Sequence, residues 1–579
     1  MAEWLPCAYV LCALTVKLLI FGVLLARVWW IPIHPPFDEM LPGSYALSAT
    51  VGCLLLLLAL PLLLGRRLEL AALGLSYLAV SVVALADLIH ASYFGSLVPV
   101  RRLAQVRMLD DIALATRSQW DSGYAWHLAD LLPLLIVLGL AWRTRSRRPV
   151  APGRWKRGAL ALTFGIVCLL PALSVVRSHA GGVTGFTGLQ GELATYIGLL
   201  PYHVLDVALL AREALESSPS VDRDELAQWF TEHRASTAQP SPLFGIAAGS
   251  NLIQISAESL QAFQIGLDVG GQEITPALNA FARESLHFTS FYDQTNLGTT
   301  ADAEFLTHQS LFPLADDVVS AAYHTNRWRG SAAVLAERGY NTLSACGADA
   351  GFWNMQAMHR ELGFSSSYFE SFYHSTEQVG SWSWISDDDF LDQNVALLKF
   401  VDRLKAEHLL DNTVLIIYGD HHGFLEDTPD LARILGLRLD DRFALWKVKK
   451  RVPLFIRLPN GANAGPRTNV GGHLDVAPTA LSLLGVPSTD EVAMGRDLSG
   501  TESAMVVFRD GSYADRDTYF INNFGPIERS RCYATQTDQP VSCAPLAGRR
   551  AEARRRLRLS DLIVHNDLVL PVRESLVAQ

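Results

Sequence analysis

The sequence predicts an N-terminal bundle of five membrane-spanning helices followed by an exterior α/β domain with a mostly parallel sheet. Three observations carry this prediction. Half of the 579 residues are hydrophobic and only 18% are charged, and the apolar excess sits almost entirely before residue 180. Five apolar stretches there, at about 7–31, 44–64, 69–95, 124–142 and 158–177, each approach the roughly 20 residues a spanning helix requires. From about residue 248 onward, strand-like runs alternate with helix-like runs, the pattern of a parallel sheet covered by helices.

The first stretch is too long for a cleavable signal, has no basic start, and is followed by four more. Its orientation follows from the basic loops, which stay in the cytoplasm. Residues 142–157 (WRTRSRRPVAPGRWKR) carry seven basic residues and no acid, Arg66 and Arg67 follow the second stretch, and 32–43 has no Lys or Arg. The N-terminus is therefore expected inside, and everything after residue 178 outside, in a multi-pass protein of the cell (inner) membrane. The four arginines of 96–123 run against this rule. Lys17, Arg27 and Asp87 lie within stretches of membrane depth, where charges pair or function. At 1.5 Å per residue, Asp87 falls nearer to Arg27 than to Lys17, so an Arg27–Asp87 contact is expected. Of seven cysteines, Cys7, Cys12, Cys53 and Cys168 fall in the spans. Cys532 and Cys543 are close in the exterior part, where disulfides persist, and are expected to pair. Cys346 is left over.

Residues 181–211 are mildly amphipathic and suit a helix lying on the membrane surface. Residues 212–243 are polar and proline-containing, a linker with a short helix. The expected organisation is thus 1–180 transmembrane, 181–245 interfacial helix and linker, and 246–579 catalytic. In the last part NLIQISAE, LHFTSFYD, NTLSACG, TVLIIYGDHHG and VPLFIRLP read as strands. ITPALNAFARES, ADAEFLTHQSLF, VALLKFVDRLKAEHLL and DVAPTALSLLGV read as helices.

In such sheets, sites form at the carboxyl ends of strands. NLIQISAES ends at Glu258. TVLIIYGDHHG ends at Asp420, His421 and His422. Between them, NLGTTADAEF puts Thr299 and Thr300 just before a helix. Carboxylates with an imidazole suit a divalent cation such as Mn²⁺, Mg²⁺ or Zn²⁺. A helix start favours phosphate, and a hydroxyl placed there against a metal becomes a nucleophile. Asp302 and Glu304 are expected only to complement the helix dipole. His422 should point away from its neighbour. The basic run at 548–558 reads as a solvated helix face, and an exterior domain has no access to nucleic acid.

Together A-E-S at 257–259, T-x-D-x-E-F at 300–305, F-W-N at 352–354, Y-G-D-H at 418–421, R-V-P-L-F-I at 451–456 and D-V-A-P-T-A-L-S-L-L-G at 475–485 resemble the alkaline phosphatase/sulfatase superfamily. Within it they resemble the lipoteichoic acid synthase (phosphoglycerol transferase) family, over nearly the whole chain. The resemblance implies an alkaline-phosphatase-like, sulfatase-type fold. It implies that Glu258, Thr300, Asp420 and His421 hold one divalent metal ion, Mn²⁺ before Mg²⁺ or Zn²⁺. Thr300 is then the nucleophile. It takes a phosphoglycerol-type group from a membrane phospholipid donor, releasing diacylglycerol from phosphatidylglycerol, and passes it to a hydroxyl of an exterior glycan or polymer. Trp353 and His473 are the candidate substrate-binding residues. The alternatives are a phosphodiesterase or other hydrolase of the superfamily, or an impaired binding protein. A strict sulfatase is disfavoured, because C-A-P-L-A at 543–547 lacks the Arg of C/S-x-P-x-R.

The chain departs from the family in three places. Cys346 stands where the family has His. Met355 stands where it has a phosphate-contacting Arg, a bidentate binder that Met cannot replace. A strand and a substrate-side His loop, between SWISDDDFLDQ and NVALLKFVDRLKAEHLL, are missing.

Overall fold

The structure, a computed structural model, describes residues 5–28, 45–63, 66–94, 97–98, 127–145, 154–179, 194, 197–215, 223–237, 241–315, 317–348, 350–372, 400–423, 428–487, 491–500, 503–523 and 525–577. The chain divides into two compact units with the boundary at Pro219 and Ser220.

In the first unit, helices Leu5–Val28, Ala46–Leu63, Arg66–Phe94, Leu131–Arg145 and Arg154–His179 occupy the five apolar stretches. Two of them, over Leu68–Ile89 and Trp155–Leu173, are long and apolar enough to cross a membrane, and the other three have shorter apolar runs. Val10, Leu14 and Phe21 recur at helical spacing and are buried with Leu73, Tyr77, Val80 and Ala84 of the third helix. The expected Arg27–Asp87 contact lies outside the described residues, because the side chain of Arg27 does; Asp87 Oδ2 lies 2.6 Å from His203 Nε2. Lys17 Nζ donates to Asp130 Oδ1 at 2.8 Å and to Ser81 Oγ at 2.9 Å. The helix Leu199–Leu215, in the stretch read as interfacial, buries Leu199 and Tyr202 in this unit's core.

The second unit is built on a five-stranded sheet. Its strands are β1 (Asn251–Ala257), β2 (Leu286–Phe288), β3 (Thr413–Gly419), β4 (Leu454–Arg457) and β5 (Gly465–Arg467), in the order β1-β3-β4-β2-β5. The β1–β3 and β2–β5 pairs are parallel, and β3–β4 and β4–β2 are antiparallel. The sheet is therefore mixed, not mostly parallel. VPLFIRLP runs antiparallel to both of its neighbours, and NTLSACG does not join the sheet. Its Leu343–Ala345 pairs instead with Ser366–Tyr368. That strand is three residues long and two of them are exposed, so it lacks the apolar run of a central strand.

Every residue of β3 is buried, as its unbroken apolar run requires. Successive side chains point to opposite faces. Val414, Ile416 and Tyr418 pack with Val476, Ala480 and Leu481 of the helix Val476–Leu483. Leu415 and Ile417 pack with Phe281, Val401 and Leu404 on the other side. Each such side chain withdrawn from water contributes about 1.5–3 kcal/mol.

A five-stranded antiparallel sheet, Val506–Val507, Tyr513–Ala514, Thr518–Ile521, Arg531–Ala534 and Pro540–Val541, precedes the helices Ala547–His565 and Val569–Val577. Cys532 and Cys543 are joined, S–S 2.07 Å, as expected. The helix Arg223–Thr237 is no free linker. Leu226, Trp229 and Phe230 share one face of it and are buried with Ala553, Leu557 and Val569 of the C-terminal helices.

Candidate active site

The parallel register of β1 and β3 assembles the site. Ala257 pairs with Gly419, so the next residues, Glu258 and Asp420, leave the sheet side by side. A side chain at Gly419 cannot fit, because a Cβ would lie 2.0 Å from the Leu260 carbonyl oxygen. The helix Thr300–Gln309 begins opposite these strand ends.

Four polar groups converge on one point. His421 Nε2 lies 2.9 Å from Glu258 Oε1, 3.6 Å from Asp420 Oδ2 and 3.4 Å from Thr300 Oγ1. Thr300 Oγ1 donates to Glu258 Oε2 at 3.1 Å. Ligand atoms of Glu258, Asp420 and His421 all fall within 4.8 Å of one another. The expected set, Glu258, Thr300, Asp420 and His421, is thus brought together.

The surroundings orient these groups for a cation. Asp420 Oδ1 accepts from the Ser259 and His421 backbone N–H groups, both at 2.8 Å. Its Oδ2 is buried and accepts no hydrogen bond, an orphan that a metal ion would satisfy. His421 Nδ1 donates to the His422 carbonyl at 2.8 Å. That bond fixes the tautomer that leaves the Nε2 lone pair for a metal. Burial, against the opposing charge of His421, raises the Asp420 carboxyl to about 7 with help from Glu258. Burial alone would lower His421, but the Glu258 hydrogen bond and the Asp420 charge raise it to about 10. Without a cation, then, a proton on His421 holds the acidic groups together. These residues fit a divalent cation.

The backbone is strained on both sides of the site. Ser259 has φ 53° and Thr299 φ 40°, left-handed values that cost non-glycine residues of order 1–3 kcal/mol each and cluster at functional sites. The loop before Thr300 is closed by Asp302, whose Oδ2 accepts from Asn296 N and Gly298 N at 2.9 Å. Asp302 is buried, which raises its carboxyl to about 7. It does more than face a helix dipole. Glu304 likewise forms a buried ion pair, with Oε1 2.5 Å from His359 Nε2. Burial alone would raise Glu304, but the His359 charge outweighs it and holds the carboxyl below its usual value.

His422 points away from the site, as expected. Its Nδ1 donates to Asp293 Oδ2 at 2.7 Å and its backbone N–H to the same oxygen at 3.1 Å. Burial lowers it to about 4, so it is neutral. Asp293 was not singled out from the sequence, although it ends LHFTSFYD as Glu258 ends its strand. The same strand-end criterion would have found it.

The two candidate substrate residues sit differently from expectation. His473 is fully buried. Its Nε2 donates to Gly419 O at 2.8 Å and its Nδ1 accepts from Gln294 N at 3.2 Å. Both ring nitrogens are committed to holding the end of β3, and none is left for a substrate. Trp353 is also buried, with φ 51°, edge-on to Phe352. Cys346 Sγ lies 3.8 Å from Met355 Sδ. Burial, with the Glu304 and Glu258 carboxylates, pushes its thiol up, so it stays protonated and is no nucleophile. The apparent deletion between SWISDDDFLDQ and NVALLKFVDRLKAEHLL falls mostly on residues 373–399, outside the described residues.

The sulfatase family model matches residues 250–399 and 394–486. The lipoteichoic acid synthase-like protein YvgJ of Bacillus subtilis is 25% identical over 597 aligned residues, covering 92% of this chain and 94% of its own. Lipoteichoic acid synthase 2 of the same organism is 24% identical, covering 89% and 86%. The crystal structure of the lipoteichoic acid synthase LtaP from Listeria monocytogenes aligns with 56% of this chain and 94% of its own at 23% identity, TM-score 0.49. Residues 250–486 thus match the sulfatase family model, and the chain is similar to the lipoteichoic acid synthases along about nine-tenths of its length.

Proposed function

We propose that this chain transfers a phosphoglycerol-type group from a membrane phospholipid to a hydroxyl of an exterior glycan or polymer, through a phosphothreonine at Thr300. The observation that carries this reading is the placement of Thr300 Oγ1. It stands at the start of a ten-residue helix, 3.1 Å from Glu258 Oε2 and 3.4 Å from His421 Nε2.

Glu258, Thr300, Asp420 and His421 would hold a divalent cation, Mn²⁺ or else Mg²⁺ or Zn²⁺, which would supply positive charge to lower the hydroxyl's pKa. Thr300 Oγ1 forms a bond to the headgroup phosphorus as its proton passes along the hydrogen bond to Glu258. The bond from phosphorus to the diacylglycerol oxygen breaks, and that oxygen takes up a proton from water while Glu258 returns its own to water. In the second half, an acceptor hydroxyl bonds to phosphorus as its proton passes to Glu258, the bond from phosphorus to Thr300 Oγ1 breaks, and Oγ1 recovers the proton from Glu258. The positive end of the helix dipole at Thr300 favours the phosphate charge. The basic loops favour a multi-pass protein of the cell membrane with its N-terminus cytoplasmic and the Thr300 site exterior, on the side where an exterior acceptor is found.

The test is peptide mapping by mass spectrometry of the full chain after incubation with Mn²⁺ and phosphatidylglycerol or phosphatidylethanolamine. A phosphoglycerol or phosphoethanolamine adduct on Thr300, absent in Thr300→Ala, is expected and names the donor. Lipid turnover with free phosphoglycerol as the sole product would show a hydrolase instead. Bound metal with neither adduct nor turnover would leave a binding protein.

A further inference from the structure

The basic run at 548–558 folds as the start of the helix Ala547–His565. Its arginines are unequal. Arg555 lies 3.5 Å from Glu225 and 3.4 Å from Glu232, Arg558 pairs with Glu225, and Arg556 lies 2.9 Å from Glu552. Arg549 pairs with Asp515. These are neutralised within the domain. Arg550 and Arg554 are not.

Both line a surface groove of about 740 Å³, with Arg555, Arg558, Ile527 and Glu528 along its walls, within the size range of ligand sites. Arg550 is 9% exposed. It lies over the Phe520 ring and donates to the Gly525 carbonyl at 2.7 Å, but its Nε is buried without a partner. Burial and the Arg554 charge push its pKa down against the opposing charge of Glu528. Arg554 is exposed and makes no ion pair among the described residues. Glu528 is the groove's one acidic wall residue. The helix also opens at this groove, and Leu546 offers its first-turn N–H groups no side-chain cap.

A buried guanidinium with an unused donor costs free energy unless something fills the bond. An arginine fork fits phosphate oxygens. The site is recessed, so it suits a strand lying in it better than a flat bilayer surface. We propose that the groove binds an anionic phosphodiester polymer, the exterior acceptor of the reaction above, with phosphates on Arg550 and Arg554. The identity of that polymer rests on the proposed transfer reaction.

The experiment measures binding of a fluorescent glycerol phosphate hexamer to the full chain held in amphipol, with inorganic phosphate as competitor. Arg554→Glu, an exposed change that leaves the fold alone, is expected to weaken hexamer binding by about tenfold or more. Arg550→Lys, which keeps the charge but loses the fork, should weaken it less. Thr300→Ala should bind as the parent does, which separates the groove from the nucleophile. Equal affinity in Arg554→Glu overturns the proposal. So does competition by phosphate as effective per mole as the hexamer, which would mean a single-phosphate site. Loss of co-flotation with phosphatidylglycerol vesicles in Arg554→Glu, with hexamer binding intact, would make the groove a membrane contact and also overturn it. Hexamer binding that needs Arg554 in a protein that never labels Thr300 would uphold the groove and sink the transferase.

Discussion

Cys346 Sγ and Met355 Sδ are in contact at 3.8 Å. These are two of the positions at which the chain departs from the family it resembles, where a His and a phosphate-binding Arg are expected. They are therefore one paired change: two sulfur side chains, polarizable and apolar, pack where the family it resembles has a His and an Arg. Met355 is 5% exposed. Met355→Arg alone should thus bury a guanidinium in a pocket whose carboxylates, Glu304 and Glu258, are already paired with His359 and His421, and cost about 1–3 kcal/mol. Met355→Leu keeps the volume and should cost less than about 1.5 kcal/mol. Thermal midpoints of the full chain in detergent would separate the two. Equal midpoints for Met355→Arg and the parent would mean that the pocket opens to water.

Metal binding should become tighter as pH rises. In the metal-free protein His421 is raised to about 10 and Asp420 to about 7. At pH 6 both sites are mostly protonated, and a cation must displace those protons. The Asp420 proton is lost as pH passes about 7, while the His421 proton persists to about 10. The sign is therefore fixed: Mn²⁺ affinity rises from pH 6 to 8, and proton release on binding falls from near two toward one. Calorimetry in buffers of different ionisation enthalpy measures both quantities. Affinity independent of pH over that range would contradict this arrangement of protons.

Much of this site was legible in the sequence because its residues follow strand ends directly. Glu258 and Asp420 each stand one residue beyond an apolar run, and the parallel β1–β3 register alone makes them neighbours. What was not legible depends on partners far away in the chain. His473 looked like a loop residue facing substrate, but its Nε2 is bound to the Gly419 carbonyl, 54 residues away. Glu304 looked like a dipole partner, but its counter-ion His359 arrives on another helix. The direction of β4 was hidden because an apolar run of four looks the same whether its neighbours run parallel or antiparallel.

The loop that presents Thr300 should depend on the absence of a side chain at Gly298. A Cβ there would lie 2.3 Å from Asp302 Oδ1 and 2.6 Å from its Cγ. Gly298→Ala must therefore displace Asp302 and break its hydrogen bonds to Asn296 N and Gly298 N. Thr300 adduct formation should fall at least tenfold while Mn²⁺ binding changes little, since Glu258, Asp420 and His421 are carried by other elements. Unchanged labelling in Gly298→Ala would show that the loop tolerates the shift.

Asp302 itself gives a second reading of the same loop. Its carboxylate accepts from the partly buried Asn296 N–H and the buried Gly298 N–H, and removing it leaves both donors unmet. Asp302→Ala should cost about 1–3 kcal/mol and lower the thermal midpoint. Asp302→Asn keeps one oxygen acceptor and should recover part of the loss. Identical midpoints for Ala and Asn would mean that the two N–H groups find other partners.

The Cys532–Cys543 bond should be the main covalent support of the C-terminal sheet. It joins the strand Arg531–Ala534 to a residue two positions beyond the exposed edge strand Pro540–Val541, closing a loop across a sequence separation of 11. Chain entropy assigns such a loop about 3 kcal/mol. The edge strand has only two paired residues, Val541 and Pro540, so hydrogen bonding alone holds it weakly. Both cysteines are buried, and a reductant reaches them only after opening, so the variant is the cleaner probe. Cys532→Ala with Cys543→Ala should lower the midpoint of the exterior unit and speed amide exchange in 531–541. The Mn²⁺ affinity should stay the same, because no metal-ligating residue lies on that sheet. Exchange in 531–541 as slow as in the parent would show that packing alone, and not the disulfide, holds the edge.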